Sequence, residues 1–266
     1  MDEFKEERAA LKQKPLKKKI EHFWHYYKWH TIGTIVGAIL LFILVRDITS
    51  NKDYGFFGIF VNAYPKYAET TAFDDAVAKA LDIDLEEYEV AFDHNYRMTE
   101  EFNDNSFQTA QMLMVHTAAG DVDVMVMDTY NFSKYGYNNN YGDLRFYLSD
   151  DQLKALEGRI FYVDATLAEK IQEASQNMTL AESGLEYPAN PYDYESMDNP
   201  IPVGISLTGC EKFEEYFVFH EDTEGFLGVF VGTKHPEEVS KFICVKHVSF
   251  GFTHLAIALK KPWMSE

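Results

Sequence analysis

From Thr31 to Val45 the chain runs fifteen residues without a charge, and the nine residues before that run are all aromatic or histidine except Lys28. Such a segment is an export-signal core, a buried core helix or a membrane span. At about 1.5 Å per helical residue the uncharged run covers ~22 Å, short of a ~30 Å hydrocarbon layer. Phe23, Trp24, Tyr26, Tyr27 and Trp29 extend it, because indole and phenol rings favour the headgroup interface. Lys28 can reach back to the same interface. Counted from Phe23 to Val45 the helix is ~35 Å long, enough to cross with some tilt. Arg46, Asp47, Ile48 and Thr49 follow the run, where a cleaved signal needs a small-x-small site. No polar face interrupts it, as a core helix would require. The expectation is a retained transmembrane helix over 23–46. Gly33 and Gly37 have the spacing of close helix packing in lipid, although tolerated glycine is the simpler reading.

Charge sets an expected orientation. The first 30 residues hold eight Lys/Arg and five acids, a net +3, which leaves −22 of the formal −19 on the remainder. Basic residues stay on the cytoplasmic side of a span, and the cluster from Lys14 to Lys19 suits an anionic leaflet. The expected organisation is a basic cytoplasmic tail (1–22), the span (23–46), a tether (47–53) and an extracytoplasmic domain (54–266). An outer part this acidic argues against DNA or RNA as a partner and fits either a solvated surface in a saline exterior or attraction to cations and basic ligands. Cys210 and Cys244 are the only cysteines, and the sequence leaves open a disulfide or two buried thiols. With no CxxC and no Cys/His cluster, a structural zinc is not expected. Asn177-Met178-Thr179 matches a glycosylation triplet, read here as chance.

The tail of the chain reads as an α/β domain. Tyr54–Tyr64 is a near-continuous apolar run, the mark of a strand buried on both faces. Ala72, Phe73, Ala76, Val77, Ala80 and Leu81 recur at helical spacing after Thr70 or Thr71. Tyr88–Asp93 is a second strand, a helix ending before Gly120 follows, and Asp121–Asp128 is a third strand. Strand, helix, strand, helix, strand at this spacing predicts parallel pairing. Beyond it come a loop over Tyr137–Asp143, a short helix capped by Ser149, a strand over Arg159–Asp164 and a helix over Ala165–Gln176. Residues 183–200 form a proline-rich loop or lid. Strands over Ile201–Thr208 and Gly225–Gly232 follow, and then a helix opened by Pro236. "LAIALKKPW" reads as a final strand and tail, too short for a second span.

The order of "FVNAY", "YEVAFD", "GDVDVMVMD", "NPIPVGISLT" and "GVFVGTKHPEEVSKFICVKHV" resembles type II periplasmic, or solute, binding proteins. The "YYKWHTIG" junction is similar to that of single-pass membrane proteins of Gram-positive, clostridial-type bacteria. The resemblance implies a binding-protein-like mixed or parallel sheet behind a transmembrane helix. It departs from that family in length, being short for two lobes, and in lacking a lipobox cysteine before the domain.

Ligands of such sheets bind beyond the carboxyl ends of the strands. The expected contacts are therefore Asn62, Tyr64, Asp93, Arg97, Asp128 and Tyr130. Arg97 suits bidentate pairing with a ligand carboxylate, or a surface bridge to Glu100 or Glu101. Asp121, Asp123 and Asp128 suit acid/base or cation chemistry, though acids at strand edges most simply confer solubility. Tyrosines in "YNNNY" and "YDYES" suit sugar or peptide contacts, or ordinary loop packing. His22, His25 and His30 can share a helical face, where interfacial packing is the plainer reading than metal. His220, His235, His247 and His254 lack ligand spacing. No HExxH, GxSxG, P-loop or GxGxxG occurs, so neither catalysis nor a cofactor is expected. The two functional expectations are capture or sensing of a small solute or peptide, and a non-catalytic scaffold that docks another envelope protein.

Overall fold

The computed structural model describes residues 15–50, 52–67, 71–101, 103–220 and 223–244. It comprises two units, the N-terminal helix and an α/β domain that starts at Asp53. The expected C-terminal strand, His247 and His254 lie outside the described residues, as do the side chains of His22, His25 and Cys244.

Helix α1 (Leu16–Ser50) is continuous, and the expected tether is helical as far as Ser50. Within it Tyr27–Asp47 has a mean hydropathy of 1.8 and is unburied. By length and composition this segment fits a membrane span or a signal sequence. Ile35, Ile39, Leu40 and Phe42 are all exposed, so the apolar surface runs around the helix. Lys28 lies over the Trp29 ring at 5.7 Å, and the Thr34 hydroxyl returns a hydrogen bond to the His30 carbonyl at 2.8 Å.

The domain is built on a six-stranded mixed sheet, with the strands β1 (Asp53–Val61), β3 (Tyr88–Tyr96), β4 (Val124–Asp128), β5 (Ile160–Asp164), β6 (Pro200–Ser206) and β8 (Gly225–Val229). Their order is β3-β1-β4-β8-β6-β5. The pairs β1–β3 and β1–β4 are parallel, as the strand–helix alternation predicts. The pairs β4–β8, β6–β8 and β5–β6 are antiparallel. A separate two-stranded piece pairs β2 (Tyr64–Pro65) with β7 (Phe217–Val218).

The helices of the domain are α2 (Thr71–Leu81), α3 (Asp104–Ala119), α4 (Thr129–Gly136), α5 (Asp150–Ala155), α6 (Ala165–Gln176), α7 (Glu211–Tyr216) and α8 (Pro236–Cys244). Side-chain alternation divides the core between the two sheet faces. Phe56 and Phe60 of β1 and Val124 and Val126 of β4 join Phe73 and Val77 of α2 and Phe242 of α8 on one face. Phe57, Ile59, Val61, Met125 and Met127 meet Leu113 of α3, Phe132 of α4 and Ile171 of α6 on the other. Helix α3 begins and ends as its sequence dictates. The Asn103 side chain accepts from the Ser106 N–H, and Gly120, at φ 68°, stops the helix in the left-handed region.

One packing detail places α4. Gly204 of β6 and Gly228 of β8 are paired across the strands. A Cβ on Gly204 would stand 2.3 Å from the Phe132 ring. The two glycines thus form a trough in which Phe132 sits, stacked on Tyr141 at 4.3 Å and 14°. Tyr137 and Tyr141 of "YNNNY" are buried core residues, not ligand contacts.

Candidate functional site at the strand carboxyl ends

The chain leaves β1 through α2, on one face, to reach β3. It then returns through α3, on the other face, to β4. The carboxyl ends of β1 and β4 therefore flank a topological switch point, where open α/β sheets form their crevices. Asn62 follows β1 and Asp128 ends β4, and the Asn62 Nδ2 donates to Asp128 Oδ2 at 2.6 Å.

Asn62 is held by more than that contact. Its backbone is in the left-handed region, at φ 59°, which asparagine tolerates better than most residues. Its Nδ2 also donates to the Met98 carbonyl at 2.5 Å, and its Oδ1 accepts from the Met98 N–H at 3.0 Å. The side chain thereby continues the β1–β3 ladder past its last residue pair. Asp128 caps α4 by accepting from the Asn131 N–H at 3.1 Å. Asn131 turns its Nδ2 to Asp128 Oδ2 at 2.8 Å and to the Met98 carbonyl at 3.3 Å. Asp128 and Asn131 are 6% and 1% exposed, and among the described residues the Asn131 Oδ1 has no hydrogen-bond partner. Buried polar atoms are nearly always satisfied, by protein or by a bound molecule.

Of the other expected contacts, Tyr64 and Arg97 belong together and Asp93 stands apart. The Arg97 guanidinium lies over the exposed Tyr64 ring at 4.3 Å. Its Nη1 donates to the carbonyls of His94 and Tyr96 at 2.6 and 2.7 Å. Among the described residues Arg97 forms no salt bridge to Glu100 or Glu101, and one guanidinium nitrogen is committed to the end of its own strand. The Asp93 carboxylate accepts from the backbone and side chain of Asn95. Tyr130 is half-buried. Burial first, and then the neighbouring Tyr130, raise the Tyr187 phenol above its ordinary pKa.

Residues 183–200 are fastened rather than loose. The Tyr162 N–H donates to the Pro191 carbonyl at 2.9 Å. Asp164 accepts from the N–H groups of Asp198 and Asn199 at 3.1 Å. Tyr187 stacks on Tyr137 at 5.2 Å. The Tyr192 hydroxyl donates to Glu224 Oε1 at 2.5 Å, which also receives the hydroxyls of Ser206 and Thr208. Burial, then the bond to Glu224, hold the Tyr192 phenol well above its usual range. Glu224 adjoins the switch point, since its carbonyl accepts from the Thr129 N–H at 3.0 Å.

The three acids near β4 are not solubilising edge residues as a group. Asp123 is 1% exposed, at the amino end of β4. It accepts from the Phe57 N–H at 2.9 Å and the Thr233 hydroxyl at 2.5 Å, and it meets His235. Only Asp121 stays at the surface, 3.5 Å from Lys234. Cys210 is a free, buried thiol, and burial raises its pKa. It lines a small apolar cavity with Phe60, Phe73, Leu207 and Phe213. Among the described residues no group of three His, Cys, Asp or Glu side chains is placed to hold a metal.

Asn131 was missed by sequence reasoning, although a signal was present. An aspartate at the junction of a strand and a helix is a helix-start signal, and the N–H it caps belongs to Asn131. The Met98 carbonyl, which both asparagines use, has no sequence signal. Comparison of the chain with protein-family profiles, curated proteins and solved structures finds no match.

Proposed function

We propose that the chain is a membrane-anchored binding protein whose acidic α/β domain lies outside the cytoplasm and captures or senses a small solute or peptide without catalysis. Helix α1 is the anchor in this reading, with the basic N-terminal end inside. The observation that carries the binding assignment is the Asn62–Asp128 contact at the switch point. It sets convergent polar groups, Asp128 among them buried, at the carboxyl ends of two parallel strands, with the exposed Tyr64 two residues further along the chain. The resemblance of the element order to solute-binding proteins supports the same assignment.

Two measurements test it. Protease added to intact cells should remove the domain while the α1 segment stays with the membrane at its full, uncleaved length. A mature chain that begins after residue 46 would remove the anchor. For binding, the full chain in detergent should show a rise in unfolding midpoint with one class among amino acids, short peptides and sugars, since a ligand stabilises by its concentration over its Kd.

One observation favours a second reading. Phe107, Met112, Met114 and Val115 of α3 are 49%, 50%, 71% and 63% exposed. A helix with this much uncovered apolar surface suits a scaffold that docks another envelope protein. In that case no solute class shifts the midpoint, and Met114→Glu with Val115→Glu abolishes co-purification of the partner.

A further inference from the structure

From Asp128 and Asn131 we infer that the switch-point crevice takes the ammonium group of a small organic amine. The inference rests on the capture reading above and names its ligand class. Asp128 is a buried carboxylate held by neutral groups alone, the amides of Asn62 and Asn131 and the Asn131 N–H. Among the described residues no lysine, arginine or histidine pairs with it. The contrast is Asp123, equally buried, which has His235. The amino end of α4 supplies at most about half a unit of positive charge to Asp128, so a buried negative charge is left incompletely balanced. Arg97 forms no ion pair with it among the described residues, its Nη1 donating to the His94 and Tyr96 carbonyls.

The second deficit is a missing donor. The Asn131 amide is held by two bonds from its Nδ2, and among the described residues its Oδ1 lacks a partner. An ammonium group meets both deficits at once, with positive charge for Asp128 and an N–H for Asn131 Oδ1. A carboxylate or phosphate ligand would meet neither. The acidic domain attracts such ligands from a distance.

The test uses the full chain in detergent micelles and three isosteric probes, putrescine, 1,4-butanediol and succinate. The readouts are the unfolding midpoint and calorimetric titration. Putrescine is expected to bind and raise the midpoint, while the diol and the diacid leave it unchanged. Asp128→Asn and Asn131→Leu should each weaken putrescine binding at least roughly tenfold, the usual scale for a lost charged hydrogen bond. Near-UV circular dichroism shows which variants fold, and Asp128→Asn keeps shape should Asn131→Leu fail. Binding of succinate or the diol in place of putrescine would overturn the ammonium assignment and leave solute capture standing. Silence from putrescine, ethanolamine and lysine amide at millimolar concentration would overturn the ammonium assignment, and a response to the wider solute screen would then decide whether capture survives. Putrescine binding that both variants retain would overturn the placement at this crevice.

Discussion

His235 Nδ1 lies 3.1 Å from both carboxylate oxygens of Asp123, a residue 112 positions earlier in the chain. The contact joins the loop before α8 to the amino end of β4. Phe57 of β1 gives its N–H to the same carboxylate, so three separated segments meet on one buried group. Removing that group leaves three donors unsatisfied. Asp123→Ala should destabilise the domain by about 3 kcal/mol, whereas His235→Ala, which spares the other two bonds, should cost clearly less. Urea unfolding followed by near-UV circular dichroism measures both.

The glycine trough under Phe132 predicts a different failure. Gly204→Val places carbon where the Phe132 ring already lies, and overpacking of this kind costs about 2 kcal/mol. Because Phe132 anchors α4, the change should also disturb Asp128 and Asn131. Adding Phe132→Leu should restore part of the loss, since the two positions share one volume and are not additive. A double-mutant cycle in unfolding free energy checks the coupling.

The parallel half of the sheet was legible because its signals are local. Tyr54–Val61 is apolar throughout, Phe73, Val77 and Leu81 recur at helical spacing, and Asn103 and Gly120 mark the ends of α3. The placement of β8 between β4 and β6 was not legible. It depends on cross-strand fit at Gly204, Gly228 and Phe132, which no single segment displays. The site divides in the same way. Asn62 and Asp128 follow from the rule that crevices open at strand carboxyl ends. The bonds from Arg97 to the His94 and Tyr96 carbonyls were not legible, because backbone partners leave no mark in sequence. His235 looked idle because its acid partner is distant in the chain.

Asp74 gives the domain a pH dependence of defined sign. Burial, and then the adjacent Asp75, raise its pKa from the ordinary 3.8 to about 7, against a lowering backbone hydrogen bond at Phe92. A carboxyl that holds its proton more tightly folded than unfolded stabilises the fold in acid. That contribution is complete below about pH 4 and is lost as pH rises through about 7. Asp74→Asn should therefore flatten the stability profile between pH 4 and 7 and raise stability at pH 8. Solvent screening of this half-buried group limits the gain to about 1 kcal/mol. Denaturation midpoints at pH 5 and pH 8 for both proteins check the sign.

Asn62 combines a backbone requirement with a bonding one, and three substitutions separate them. Asn62→Gly keeps the φ of 59° available but deletes the bonds to Met98 and Asp128, for an expected loss of about 2 kcal/mol. Asn62→Ala deletes the same bonds and forces a Cβ into the left-handed region, adding about 1 kcal/mol. Asn62→Asp is nearly isosteric, but it sets a second carboxylate against Asp128 where 2.6 Å now separates donor from acceptor. Like charges that close cannot both ionise, so this variant should be the least stable of the three at pH 8. It should recover most of the deficit at pH 5, where one proton bridges the pair. Unfolding free energies at the two pH values distinguish the cases. Equal losses for glycine and alanine would show that the backbone at Asn62 is unstrained, leaving its hydrogen bonds as the whole of its contribution.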